Sequence, residues 1–229
     1  MSPGADDGAR WIEVSPERLA AWLESFAQRH GDIAIEPGPA VVTFRAADGA
    51  LAQCHVPFPP LPAGAGDRAG QIADSAEQIS AHARAGRTVG VLLVRLGGYA
   101  AGVFTGPEAH LVASKVGSRL VHGRSAAGGT SQQRFARRRE KQASEALGAA
   151  ADTAAAVFGQ FAGKLDAVVL GGDRRAIAGL RDDPRLRPYL ELAVERFLTV
   201  PDPRLAVLRS TPRLFRAIRI LLTDPAQAG

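Results

Sequence analysis

Residues Thr88–Val116 read TVGVLLVRLGGYAAGVFTGPEAHLVASKV. Three apolar runs, Thr88–Leu96, Tyr99–Thr105 and Glu108–Val116, are separated only by Gly97-Gly98 and Gly106-Pro107. Connections that short join antiparallel neighbours, so the stretch predicts a three-stranded meander. The chain then changes period. From about Gln132 to Phe161 it is Ala-rich and predicts one long helix. Leu165–Leu170 reads as a buried strand, Gly171-Gly172 as a turn and Arg174–Leu180 as a short helix. A last strand is expected at Arg196–Val200, with helical segments from Arg204 to Leu222.

Three antiparallel strands followed by alternating helix and strand is the order of an α/β, ribonuclease-H-like fold, a mixed sheet with flanking helices. On the amino-terminal side a small α+β unit is expected. Trp11–Val14 reads as a strand, and Ser15-Pro16-Glu17 as a helix start with Ser15 as N-cap. Leu19, Trp22, Leu23 and Phe26 follow at helical spacing up to Gly31. Ala40–Ala46 and Leu51–Val56 flank Asp48-Gly49, a hairpin signal. The Pro/Gly-rich stretch ending at Gly70, FPPLPAGAGDRAG, predicts a boundary. The expected division is a flexible tail at 1–10, the amino-terminal unit at 11–70 and a larger domain at 71–223, beginning with a helix on Ile72, Ala76, Ile79 and Ala83.

Composition narrows the class. The 229 residues are 46% hydrophobic and 22% charged, which suits a folded soluble chain. A single cysteine, Cys54, excludes a disulfide framework and a Cys-based zinc site. No apolar run approaches the roughly 20 residues of a membrane helix, and the start MSPGADDGAR has no signal-peptide core. A cytoplasmic protein without a membrane partner is expected. Of 28 basic residues only Lys115, Lys141 and Lys164 are lysines. Between Val112 and Glu145 eight basic residues face two acidic ones, so this window carries +6 while the net charge of the whole is +5. Such an excess is either a solvated face or a surface for a polyanion, and arginine's planar fork suits phosphate.

That window contains GGTSQQRFARRRE, Gly128–Glu140. A loop of small residues, Gly123–Thr130, gives way to a helix with two expected faces. Ala136, Ala143, Leu147, Ala150, Ala154, Val157 and Phe161 fall on one side at 100° per residue, and Arg134, Arg137, Arg138 and Lys141 on the other. A helix amino terminus attracts anions, which adds to the arginine face. Thr130-Ser131-Gln132-Gln133 also fits a capping box, with Thr130 as N-cap and Gln133 reaching back. The two readings coexist if Gln133 caps while Gln132 works.

The segment resembles the GGQ-containing part of the class I release factor of eukaryotes and archaea, in which the loop precedes an RFAR-type helix. It is closer to the Vms-like release-factor family and its actinobacterial branch, whose mark is Gly-x-x-Gln, here Gly129-Thr130-Ser131-Gln132. With RFAR aligned, the termination-loop glutamine falls on Thr130 and this chain's own glutamine comes two residues later. That departure disfavours codon-dependent termination and favours ribosome rescue. The resemblance follows the order of elements from about Thr88 to Leu222, with residue-level identity around Gly128–Arg139.

It implies a peptidyl-tRNA hydrolase, a release-factor-like catalytic domain cutting the ester between nascent peptide and tRNA on a stalled ribosomal large subunit. Gln132 and Gly129 would act at the ester, Gly128, Thr130 and Ser131 would shape the loop, and Arg124, Arg134, Arg137, Arg138 and Lys141 would hold RNA. Peptidyl-tRNA and rRNA are the implied partners; no metal and no cofactor is called for. The alternatives are a non-catalytic RNA- or ribosome-binding module and metal-independent cleavage of the tRNA 3′ end. A metal-dependent nuclease is disfavoured because Thr88–Leu96 lacks the Asp or Glu that would begin a magnesium site.

Other residues carry weaker signals. His122 has the pKa class of a general base but no evident carboxylate partner. His30, His55, His82 and His110 lack ligand spacing. Gly171-Gly172-Asp173 reads as a turn with Asp173 as N-cap, or as a phosphate cradle. Arg204, Arg209, Arg213, Arg216 and Arg219 stand among Leu205, Leu208, Phe215 and Ile218, a packed amphipathic pattern to which RNA contacts are a possible addition.

Overall fold

The computed structural model describes residues 9–62, 71–95, 97–118 and 131–224, and for residues 131–140 the backbone alone. In chain order the elements are β1 (Ala9–Val14), α1 (Leu19–His30), β2 (Ile33–Glu36), β3 (Val41–Ala46), β4 (Leu51–His55), α2 (Ile72–Arg84), β5 (Val89–Arg95), β6 (Gly98–Thr105), β7 (His110–Ser118), α3 (Ser131–Gly159), β8 (Ala167–Gly172), α4 (Arg174–Ala178), α5 (Arg187–Leu190), β9 (Ala193–Leu198), α6 (Leu205–Phe215) and β10 (Ile218–Thr223). They form two units. One joins the chain up to Ala85 with everything from Arg216 onward, and the other is Gly86–Phe215.

The first unit is an antiparallel sheet in the order β1-β10-β4-β3-β2. Alternation decides its faces. Val14, Val42, Phe44, Ala52, Cys54, Ile218, Ile220 and Leu222 point inward, onto Leu19, Leu23 and Phe26 of α1 and Ala76, Ile79 and Ala83 of α2. Burial pushes the Cys54 thiol pKa up, so it acts here as a small apolar side chain. Ser15 makes no side-chain cap. The chain passes through a 3-10 turn at Pro16–Arg18, and Ser80 of α2 donates from Oγ to the Pro16 carbonyl at 2.8 Å.

Two expectations are corrected in this unit. The helical segments expected up to Leu222 stop at Phe215, and Ile218–Thr223 is a strand with Ile220 opposite both Ile12 and Cys54. The boundary expected after residue 70 moves to Ala85. α2 contributes its apolar stripe to the first core, and β10, from the carboxyl-terminal end of the chain, is the strand between β1 and β4. The α+β unit is therefore built from both ends.

The second unit has the expected ribonuclease-H-like architecture. Its sheet runs β7-β6-β5-β8-β9, with β7, β6 and β5 antiparallel and β5, β8 and β9 parallel. α3, α4 and α5 cover one face over Leu92, Val94, Ala101, Val103, Val168 and Leu170. α6 covers the other, where Phe215 meets Phe104 edge-on at 5.9 Å. Gly172 closes β8 at φ +100, and a Cβ there would run into the Val94 carbonyl, so the turn needs glycine. Asp173 then caps α4, its Oδ1 accepting from Arg175 N at 2.7 Å and Ala176 N at 3.2 Å. This is the capping role.

Candidate functional site

The site is organised by the length of α3 against the sheet beneath it. Near the helix carboxyl end, Phe158 lies so close to Gly90 at the start of β5 that a Cβ on Gly90 would meet Phe158 Cε1 at 3.1 Å. About three turns earlier, Leu147 packs beside Gly179, just past α4. α3 thus runs opposite to β5, its amino end toward the sheet edge where Arg95, Gly98 and Ser118 are in register. From Gly90 to Arg95 the strand rises about 17 Å; from Phe158 back to Ala146 the helix covers about 18 Å. Ahead of Ala146 the helix continues for about 22 Å, back to Ser131.

Burial agrees with this arithmetic. Ala146, Ala150, Ala151, Ala154, Val157 and Phe158 are buried, whereas Lys141, Ala143, Ser144 and Glu145 are exposed. The expected apolar face is corrected at Ala143: it holds the right angular position, but it is exposed. Ala150, Ala154 and Val157 behave as expected, while Leu147 and Phe161 are half-buried.

The sequence-identified residues fall into three groups. Arg124, Gly128, Gly129 and Thr130, with His122, lie outside the described residues. Ser131 is the first residue of α3 and Gln132 the second, so both belong to the first helical turn. The first backbone N–H groups of a helix have no intrahelical partner, and its macrodipole is positive there. Arg134, Arg137, Arg138 and Lys141 follow in the same helix, and helical periodicity sets these four positions on one stripe opposite Ala150, Ala154 and Val157. Lys141, the one whose side chain is described, is exposed. A positive helix end followed by a cationic stripe suits a phosphate backbone.

Residues the sequence reading passed over hold the rod in place. Arg185 donates from Nη1 to Asp152 of α3 at 2.7 Å, and from Nε and Nη2 to Asp183 at 3.0 and 2.7 Å. Side-chain hydrogen bonds from Arg185 keep the Asp183 carboxyl below the usual carboxylate range. Tyr189 of α5 adds an edge contact to Phe158 at 5.4 Å. The available signal was Asp183-Pro184-Arg185, a turn in which Asp183 Oδ1 accepts from Arg185 N at 3.0 Å. At the sheet edge below α3, Arg95 is already engaged by the Val200 carbonyl at 2.8 Å and by Asp202.

The described histidines have separate duties. His30 Nδ1 lies 2.8 Å from Asp48 Oδ2, His82 donates from Nε2 to the Phe58 carbonyl at 2.9 Å, and His55 packs edge-on against Trp11. Among the described residues no three His, Cys, Asp or Glu side chains converge as a metal site would require. No described helix is long and apolar enough to cross a membrane.

Comparison with known proteins bears on the same region. A family model described as Actinobacteria/chloroflexi VLRF1 release factor matches residues 87–221, which takes in nearly all of the second unit and most of β10. No curated protein matches the sequence. Among solved structures, the chain is similar to an archaeal translation termination factor, aRF1, with 11% identity and a TM-score of 0.42, over 86% of this chain and 68% of that one. It is also similar to a structure titled only as an archaeal protein, with 10% identity and a TM-score of 0.36, over 91% of this chain and 66% of that one.

Proposed function

The chain belongs to the actinobacteria/chloroflexi VLRF1 release-factor family, and on that premise we propose that it is a peptidyl-tRNA hydrolase of ribosome rescue. It cuts the ester between nascent peptide and tRNA on a stalled large subunit. The observation that supports this reading is the exposure of α3 ahead of Ala146: Lys141, Ala143, Ser144 and Glu145 are exposed, and Gln132 and the arginine positions precede them in the same helix.

The chemistry asks little of the protein. An ester is already activated, so aligning one water and supplying donors to the developing oxyanion provides much of the acceleration. Gln132 offers an amide donor and an acceptor without strong basicity, which suits it to orient water. Gly128 and Gly129 permit close backbone approach to RNA, and a main-chain N–H of the loop or first turn serves as oxyanion donor. Arg134, Arg137, Arg138 and Lys141 hold phosphates, with Arg124 assisting from the loop. Ribosomal RNA forms the rest of the reaction site.

The test is release of labelled peptide from purified stalled large-subunit complexes. Gln132→Ala loses release by at least about 10²-fold, comparable to removal of a positioning or oxyanion group, while binding of the complex is kept. Normal release by Gln132→Ala contradicts the proposal. Binding without product by the unaltered chain identifies a non-catalytic ribosome-binding module instead.

A further inference from the structure

The segment Pro203–Thr223 holds five arginines and no Asp or Glu. Three of them lie on the second unit: Arg204, immediately before α6, and Arg209 and Arg213 within it, all exposed. Among the described residues, other arginines hold carboxylates, as Arg10 does with Asp224, Arg45 with Glu36, Arg84 with Glu77, Arg95 with Asp202, Arg185 with Asp183 and Asp152, and Arg187 with Glu191. Arg204, Arg209 and Arg213 take no part in any ion pair among the described residues.

Arg209 and Arg213 are one turn apart, a spacing at which like charges repel and weaken a helix. Nothing in α6 offsets this, because the helix contains no acidic residue. Its inner side is anchored by Leu208, Thr211 and Phe215, so packing fixes where the arginines project. Leu205, 39% exposed, stands beside them. α6 covers the face of the sheet opposite to α3, so this cationic face is separate from the stripe of the proposed hydrolase site.

We propose that the outer face of α6 is a second RNA-binding surface, in which Arg204, Arg209 and Arg213 grip backbone phosphates. The inference rests on the reading of the chain as one that works on the ribosome, and it adds a contact on the other layer of the unit. Guanidinium forks with no internal acceptor match phosphate oxygens bidentately. Such contacts position the protein without reading sequence.

The full-length chain is titrated with a fluorescent RNA duplex across a range of salt concentrations. The triple variant Arg204→Gln, Arg209→Gln, Arg213→Gln loses about tenfold or more in affinity, and its log K against log salt slope flattens by about two to three, one per phosphate contact. The triple Arg→Lys variant keeps the slope. Wild-type binding by the glutamine variant overturns the inference, as does equal loss in the lysine variant, which would show packing and not charge at work. If the triple glutamine variant melts early, single Arg209→Gln and Arg213→Gln variants carry the test, with slope changes of about one each. Gln132→Ala must bind the duplex like wild type. Normal peptide release by that variant removes the hydrolase reading and leaves this surface standing, whereas loss of the α6 effect alone removes only the surface.

Discussion

Arg185 reaches across from the α4–α5 connection to hold Asp152 of α3 at 2.7 Å, while the rest of its guanidinium is braced by Asp183. The pair ties the buried part of α3 to the α4–α5 connection. Both partners are largely exposed, so the link adds orientation more than stability. Arg185→Ala should lower the melting temperature by only about 1–3 °C, measured by circular dichroism, and more at low salt than at high.

Ala143 and Ala150 are on the same side of the helix, seven residues apart, yet one is exposed and the other fully buried. Ala143→Glu should change stability by no more than about 0.5 kcal/mol. Ala150→Glu buries a charge with no partner and should prevent folding at ordinary temperature. Chemical denaturation of the two variants reads the difference directly.

Phe158 and Gly90 anchor the other end. Phe158 is 1% exposed, and its loss to alanine should cost about 3–5 kcal/mol. Gly172→Ala, at φ +100 and against the Val94 carbonyl, should cost about 3 kcal/mol or more through backbone strain. Urea midpoints with unchanged m-values would identify both as losses of native stability.

Two carboxyls, one exposed and one half-buried, give a pH dependence. The Ala50 backbone N–H and His30 hold Asp48 below the usual carboxylate range, and Arg185 does the same for Asp183. A depressed folded-state pKa contributes stability that is present above the unfolded value, about 3.9, and is lost as pH falls through the folded value. Melting temperature should therefore fall below about pH 4, and less steeply in Asp48→Asn and Asp183→Asn than in the unaltered chain.

Binding to the large subunit should separate from chemistry. Arg137→Gln with Arg138→Gln should weaken association and flatten its salt dependence by about two contacts. Titration of fluorescent protein with purified large subunits at several salt concentrations measures this. An unchanged slope would remove the arginine stripe from the interface.

Much of the second unit was legible because its signals are local. Short glycine connections set off β5, β6 and β7, and Gly172-Asp173 announced α4. What escaped depended on contacts distant in sequence. Phe215, Ile218 and Leu222 are spaced i, i+3, i+7 and continue a helical pattern, while Ile218, Ile220 and Leu222 also alternate. The strand period prevails because β10 fills the gap between β1 and β4. β2, the four residues Ile33–Glu36, is too short to show a period of its own. The helical stripe of α3 was visible in the residues, but the point at which its burial begins, Ala146, was not, so Ala143 looked like core. The proposal for Gln132 and the arginine stripe rests on the motif, while the Arg185–Asp152 link needed the fold.

As proposed, the chain opens the ester and leaves the tRNA whole. The most direct measurement is analysis of both products after incubation with stalled large subunits carrying end-labelled peptidyl-tRNA. The account expects free peptide together with tRNA whose 3′ terminus is intact and can be charged again. Recovery of tRNA shortened at that end, or of uncleaved peptidyl-tRNA beside bound protein, would contradict it.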